Sequence, residues 1–279
     1  MYKSTKRALS AVVIVGVVLA VLFSPSYPVA AYSSPSPVDL GTAEPFAVLG
    51  GTAVTLTTST ITGDVGAPSG FYTNTGSTIT GTVHVGDATY DAAIIDFIAA
   101  WDAVDALGAD EALVGTLAGE VLSPGVYTFD SSAKAGTLHL NSSDPDAVWI
   151  FKSAELYLET GASFEVVFDD QGEPRNVFWW TDSYAALTDS TFIGTILAGT
   201  YITATNESSV GRALAKTAVT LTDHTISVPP AAPPASPTVG GGAYHVNKGM
   251  VLGTWLILPI IVIGGSVLVL RQRRTLRRQ

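Results

Sequence analysis

Cysteine is absent from the 279-residue chain, which excludes a disulfide framework, thiolate zinc sites, iron–sulfur clusters and thiol nucleophiles. Burial and hydrogen bonding alone must hold the fold. Basic side chains are scarce in the middle of the sequence: from 38 to 228 there are 5 Lys and Arg against 24 Asp and Glu, a net charge of −19. A segment so acidic repels phosphate backbones and excludes nucleic acid as a partner. Asn-Gly and Asp-Gly dipeptides, the tight turns of hairpin-built β proteins, do not occur. The four histidines, His84, His139, His224 and His245, lack metal-ligand spacing and are expected at the surface or in satisfied packing, three of them on strands. No metal, cofactor or small-molecule substrate is expected.

The two ends, by contrast, are apolar. Residues 1 to 31 read as a secretory signal, with Lys3, Lys6 and Arg7 before an apolar run and Val29-Ala30-Ala31 as the cleavage site, an uncleaved anchor helix being the alternative. Residues 32 to 37 are a short linker. Residues 250 to 270 carry no charge and as a helix would span about 32 Å at 1.5 Å per residue, the thickness of a bilayer core. The tail from 271 to 279 carries Arg271, Arg273, Arg274, Arg277 and Arg278, the signature of a cytoplasmic end. The expected arrangement is a single-pass cell-membrane protein with residues 32 to 249 outside, in which 229 to 249, rich in proline and glycine, form a stalk.

Between these ends, residues 38 to 228 hold 28 threonines, in runs such as AVTLTT, STITGTV and YITAT. β-Branched residues at period two predict strands with one buried face. STITGDV at 59 to 65 recurs as STITGTV at 77 to 83, an offset of 18, and FIGTILAGTYIT at 192 to 203 recurs as SVGRALAKTAVT at 209 to 220, an offset of 17 with Gly194 over Gly211. Repeats of this length with glycine corners predict a β-solenoid, one coil of three short strands per repeat. Hairpin sandwiches are the competing reading. One stretch departs from the pattern: from 88 to 107, Ile94, Ile98, Trp101 and Val104 recur at three and four, joined by Ile95, Phe97 and Leu107. They predict one amphipathic helix, buried on that stripe and capped by Gly108, long enough to flank about six coils stacked 4.8 Å apart.

These elements in this order resemble the microbial ice-binding protein family. The resemblance is carried by LGTAEPFAVLGG at 40 to 51, ITGDVG at 61 to 66, ITGTVHVGDA at 79 to 88, LSPGVYTF at 122 to 129, GTLHL at 136 to 140, DPDAVWIF at 144 to 151, NVFWW at 176 to 180, STFIGTILA at 190 to 198 and GRALAKTAVTLTDHTI at 211 to 226. It implies a mainly β fold, a right-handed discontinuous solenoid of triangular section with the helix alongside, in which early residues neighbour late ones. It also implies ice as the partner, bound through one flat face and without catalysis. Threonine suits such a face because β-branching restricts its rotamers and its hydroxyl can hold an ordered water.

Alternation then selects the candidate ice-binding residues: Thr203 and Thr205 in YITAT, Thr220 and Thr222 in AVTLT, Thr188 in the preceding coil, and Thr55 and Thr57 near the N-terminus. LYLET at 156 to 160 departs from the pattern, since Tyr157 and Glu159 stand where small residues belong. The rival readings are a polysaccharide-binding surface adhesin, which predicts aromatics clustered in a groove, and a polysaccharide-active enzyme, which predicts acids and bases converging in a cleft. Lys134, Lys152, Arg175, Arg212 and Lys216 are the only basic partners available to the latter. Ser131-Ser132-Ala133-Lys134 spells a nucleophile motif but lies in a predicted turn without its companions. Asp144-Pro145-Asp146 and Asp169-Asp170 read as turn residues rather than calcium ligands. Trp179 and Trp180, adjacent on a predicted strand, should face opposite ways.

Overall fold

The computed structural model describes residues 34 to 230, apart from 115, 116, 131, 134, 135 and 159 to 163. The signal, the 250 to 270 span, the basic tail and nearly all of the stalk lie outside the described residues. Among those described, no helix is long and apolar enough to cross a membrane.

The strands pair in parallel, not as hairpins, and the sequence offsets are coil lengths. Ile61 pairs with Ile79, 18 residues on, and Gly194 and Leu197 pair with Gly211 and Leu214, 17 residues on. Each full coil visits three walls. In one coil, Ala218–Thr222 lies on the first wall, Thr225–Ser227 on the second, and the later half of Ser208–Ala215 on the third. The stack is discontinuous in sequence. Val48, Leu49 and Gly50 pair with Ala213, Leu214 and Ala215, and Thr55 pairs with Thr220, so the first strands continue the stack that the last ones leave open.

Alternation decides what fills the coils. Val54, Leu56, Ile202, Ala204, Val219 and Leu221 point in and are buried, each large aliphatic side chain contributing about 1.5–3 kcal/mol. Towards the other end the interior turns aromatic: Trp179 stacks on Phe151 at 4.3 Å and packs at 4.9 Å against Phe192. Between the second and third walls the chain turns on stacked glycines. Gly194 has a φ of 113°, and a Cβ on Gly211 would lie 1.8 Å from the Gly194 carbonyl oxygen.

The helix α1 spans Ala88–Asp105 and is N-capped by Asp87, whose carboxylate accepts from Tyr90 N–H. It buries Tyr90, Ala93, Phe97, Ala100 and Val104 against outward side chains of the third wall, from Val126 through Ile150, Phe178, Leu197 and Leu214 to Leu49. Those residues come from six coils, the reach expected from its length. Of the predicted stripe, Phe97 and Val104 are buried and Ile94 and Trp101 are partly buried against the same cluster, but the rest is corrected. Ile95, Ile98 and Leu107 are exposed, because a wall that already presents large side chains accepts a helix face of small residues at Ala93 and Ala100. The predicted end is corrected as well. The helix stops at Asp105, and instead of a Gly108 cap the Lys152 ammonium donates to the carbonyls of Asp105 and Leu107 at 2.7 and 2.8 Å.

Trp179 and Trp180 do face opposite ways, Trp179 into the coils and Trp180 onto Trp101 of α1 at 4.9 Å. Ser132–Ala133 pairs with Tyr157 and Leu158 as a strand, not as the predicted turn.

Candidate functional site

The first wall is a seven-stranded sheet in which late and early segments lie side by side. Its register places outward residues in columns that run along the stack. One column reads Ala186, Thr203, Thr220, Thr55, Thr73; the next reads Thr188, Thr205, Thr222, Thr57, Thr75. All seven sequence-predicted positions fall on this wall, in consecutive coils. Thr73 and Thr75 extend both columns and were missed, because in YTNT the inward positions are Tyr72 and Asn74 rather than aliphatics. Asn74 closes that end of the stack, its carboxamide bonded to the backbone of Ser77.

Neither column contains an ionisable side chain. Neighbouring members lie ~4.8 Å apart along the stack and ~6.7 Å apart along a strand, so the wall presents hydroxyls and methyls on a two-dimensional repeat. Inward-pointing Ile, Val and Leu between the threonines fix the backbone, and β-branching limits each hydroxyl to few positions. Such a surface can order water in register, and neither column sets an ionisable side chain beside a threonine hydroxyl to activate it. At its far end Tyr157 pairs with Ala186 and is exposed, ending the column as expected. Glu159 lies outside the described residues.

Along one margin Tyr184 and Tyr201 stack at 5.1 Å with 4° between their planes, each turning a broad face to the other. A hydrogen bond to Glu155 holds the Tyr184 phenol above its ordinary pKa. Along the opposite margin Thr58, Asp189, Asn206 and Asp223 form a corner with φ between 47° and 54°, a left-handed region that Asn and Asp tolerate better than Thr. Asn206 donates to the Asp189 carboxylate and Thr58 to that of Asp223, tying successive coils together.

Beneath this corner two ionisable groups are enclosed. Glu207 Oε2 and His224 Nδ1 stand 3.6 Å apart, and among the described residues neither Glu207 oxygen nor His224 Nδ1 has a hydrogen-bond partner. The approach would suit an ion pair, but it is too long for a hydrogen bond, and burial favours the neutral form of each group. Burial pushes Glu207 up to about 8, against an opposing influence of the Ser190 hydroxyl, and pushes His224 down to about 4. His224 thus lies inside the corner rather than on a strand. His84 and His139 are on strands, beside Asp87 and Asp169 at 2.8 and 2.6 Å, and His245 lies outside the described residues.

The described basic residues do not converge. Lys152 caps α1, Lys216 sits 3.2 Å from the Trp101 ring centroid, and Arg212 donates to the Glu44 carbonyl at 2.7 Å. Arg175 lies 3.4 Å from Glu173, and Lys134 is outside the described residues.

Residues 46–227 match the family model described as Ice-binding-like. The chain belongs to this family. It is 38% identical over 174 residues to an ice-binding protein of Nostoc sp. (strain HG1), an alignment covering 60% of this chain and 64% of that protein. It is 33% identical over 188 residues to an ice-binding protein of Flavobacterium frigoris (strain PS1), covering 59% and 66% respectively. The chain therefore spans just under two thirds of the length of these curated relatives. The crystal structure of an ice-binding protein from the Antarctic ascomycete Antarctomyces psychrotrophicus is similar with a TM-score of 0.65 and 32% identity, over 70% of this chain and 100% of that one. The Ice-binding-like fold is thus shared with a chain that this region matches in full.

Proposed function

We propose that this protein adsorbs to ice through the first wall, with Thr55, Thr57, Thr188, Thr203, Thr205, Thr220 and Thr222 as contact residues, and that it is a non-catalytic binding protein. The observation that carries the reading is the pair of charge-free threonine columns repeating through consecutive coils of a fold from the Ice-binding-like family. Ice offers a rigid periodic array of oxygens, and affinity for it rises only when many weak contacts fit at once. A stiff wall fixes its hydroxyls before contact, so little side-chain ordering is lost on adsorption. Charged side chains there would keep the surface hydrated as in liquid.

The proposal extends to position in the cell. The solenoid is taken as right-handed, exported by residues 1 to 31, and held at the cell surface by a membrane helix at 250 to 270 with the stalk as spacer. Tethered in this way, it would hold the cell to ice or limit crystal growth at the envelope. The adhesin reading is weaker because the Tyr184 and Tyr201 rings stack on each other instead of lining a groove.

The test is crystal shape and recrystallisation with wild-type, Thr203→Tyr and Thr220→Tyr protein. Faceted crystals and arrested coarsening are expected from the wild type, with a several-fold loss in each variant. Round crystals from the wild type would remove the ice-binding proposal, and unchanged activity in both variants would remove the choice of wall.

A further inference from the structure

We propose that the second wall is an additional ice-binding surface, able to adsorb when the first wall cannot. The inference rests on the ice-binding reading above and goes beyond its single wall. The motif STIT, which marks the coil repeat in the sequence, does more than set the repeat. In the structure its copies pair directly, Thr60 with Thr78 and Thr62 with Thr80, and Thr225 pairs with Thr60.

Continued through the register, one outward column of the second wall reads Thr191, Ser208, Thr225, Thr60, Thr78, and every member is exposed. The neighbouring column holds Thr62, Thr80 and Ser227 at one end and Val210 and Ile193 at the other. Five parallel strands therefore carry a second two-column array without an ionisable side chain, on the same ~4.8 by ~6.7 Å repeat.

Two further observations point to ice as the occupant rather than to a merely solvated sheet. The charge-free stretch begins and ends with the coils that carry the first wall's columns. One coil earlier on the second wall, Glu165 stands beside Thr191, just as Tyr157 stands beside Ala186 on the first. In a chain whose described surface is otherwise rich in Asp and Glu, the run of small and aliphatic uncharged side chains starts at the same coil on both walls, after Tyr157 on the first and after Glu165 on the second. The two walls also meet along the corner of Thr58, Asp189, Asn206 and Asp223, whose cross-coil hydrogen bonds tie neighbouring coils at the shared edge. The third wall is closed to ice by α1.

A flat crystal plane can meet only one wall of a rigid triangular stack at a time, so the walls act as alternatives. The first carries the larger share, because its ten outward positions are threonine apart from Ala186, whereas the second gives two of its ten to Val210 and Ile193.

The test uses the full-length chain, fluorescently labelled, and measures adsorption to a single-crystal ice hemisphere. The variants are Thr203→Tyr with Thr220→Tyr on the first wall, Thr60→Tyr with Thr225→Tyr on the second, all four together, and Thr89→Tyr on exposed α1 as a control. Unfolding temperatures are measured alongside to confirm that each variant folds. The expected result is a several-fold loss in the first-wall variant with residual labelling, a smaller loss or a lost set of labelled planes in the second-wall variant, and background labelling when all four are changed. Labelling already at background in the first-wall variant overturns the second-wall proposal and leaves the ice-binding reading standing. So does a second-wall variant identical to wild type on both backgrounds. Wild-type protein that labels no plane overturns both.

Discussion

The enclosed Glu207 and His224 make stability depend on pH in a way that an exposed acidic surface would not. Glu207 takes up its proton more readily folded than unfolded, about 8 against 4.5. Between those values the unfolded chain binds fewer protons, and stability falls as pH rises. His224 behaves oppositely, about 4 folded against 6.5 unfolded, so stability falls as pH drops through that interval. From pH 4.5 to 6.5 the two slopes, each roughly 1.4 kcal/mol per pH unit, cancel. From 6.5 to 8 Glu207 acts alone and removes about 2 kcal/mol.

Arg212 and Ser209 line the same small internal void, and Arg212 stays charged throughout. Asp87 and Asp96, held below the usual carboxylate range mainly by hydrogen bonds from Tyr90 N–H and Thr42, titrate under this window. Denaturant unfolding of the wild type from pH 4 to 8.5 should therefore show a plateau and then a decline. In Glu207→Gln the decline above pH 6.5 should vanish and the His224 rise below it should be uncovered. Parallel wild-type and Glu207→Gln curves between pH 6.5 and 8 would refute the placement of a neutral buried acid.

Three structural substitutions follow from the same geometry. Gly211→Ala brings a methyl against the Gly194 carbonyl, backbone on backbone with no side chain free to yield. It should cost about 4 kcal/mol or more in thermal or denaturant unfolding. Thr58→Asn replaces a β-branched residue at φ 47° with one suited to that region that can still donate to Asp223, as Asn206 does to Asp189. It should gain up to about 1 kcal/mol, a rise of a few degrees in Tm. Phe97→Ala empties the centre of the contact between α1 and the third wall and should cost about 3–5 kcal/mol in unfolding free energy.

Much of this architecture was legible because a solenoid writes its register into the sequence. Offsets of 17 and 18 placed Gly194 over Gly211 and Ile61 over Ile79, and alternation in YITAT and AVTLT separated core from surface. The failures have physical causes. The buried face of α1 depends on what the third wall already presents, so Ile95 and Ile98 lost to Ala93 and Ala100, a choice hydropathy alone cannot make. The Lys152 cap comes from a residue 47 positions away from Asp105, beyond local pattern.

Thr73 and Thr75 went unseen because their inward partners include Asn74, an end-closing residue rather than an aliphatic. STIT was visible as a repeat, but its role as a wall depends on Thr225 standing beside Thr60, a contact between the two ends of the domain. His224, read as a surface or satisfied strand residue, lies behind the αL corner, where alternation no longer assigns inside and outside.

The most direct measurement of the central claim is the fraction of protein captured by slowly growing ice from dilute solution, comparing wild type with Thr220→Tyr combined with Thr222→Tyr at the middle of the first wall. Capture of the wild type well above a non-binding control, reduced several-fold by the two substitutions with the fold intact, is the predicted result. Exclusion of the wild type into the liquid, or equal capture of both proteins, would contradict it.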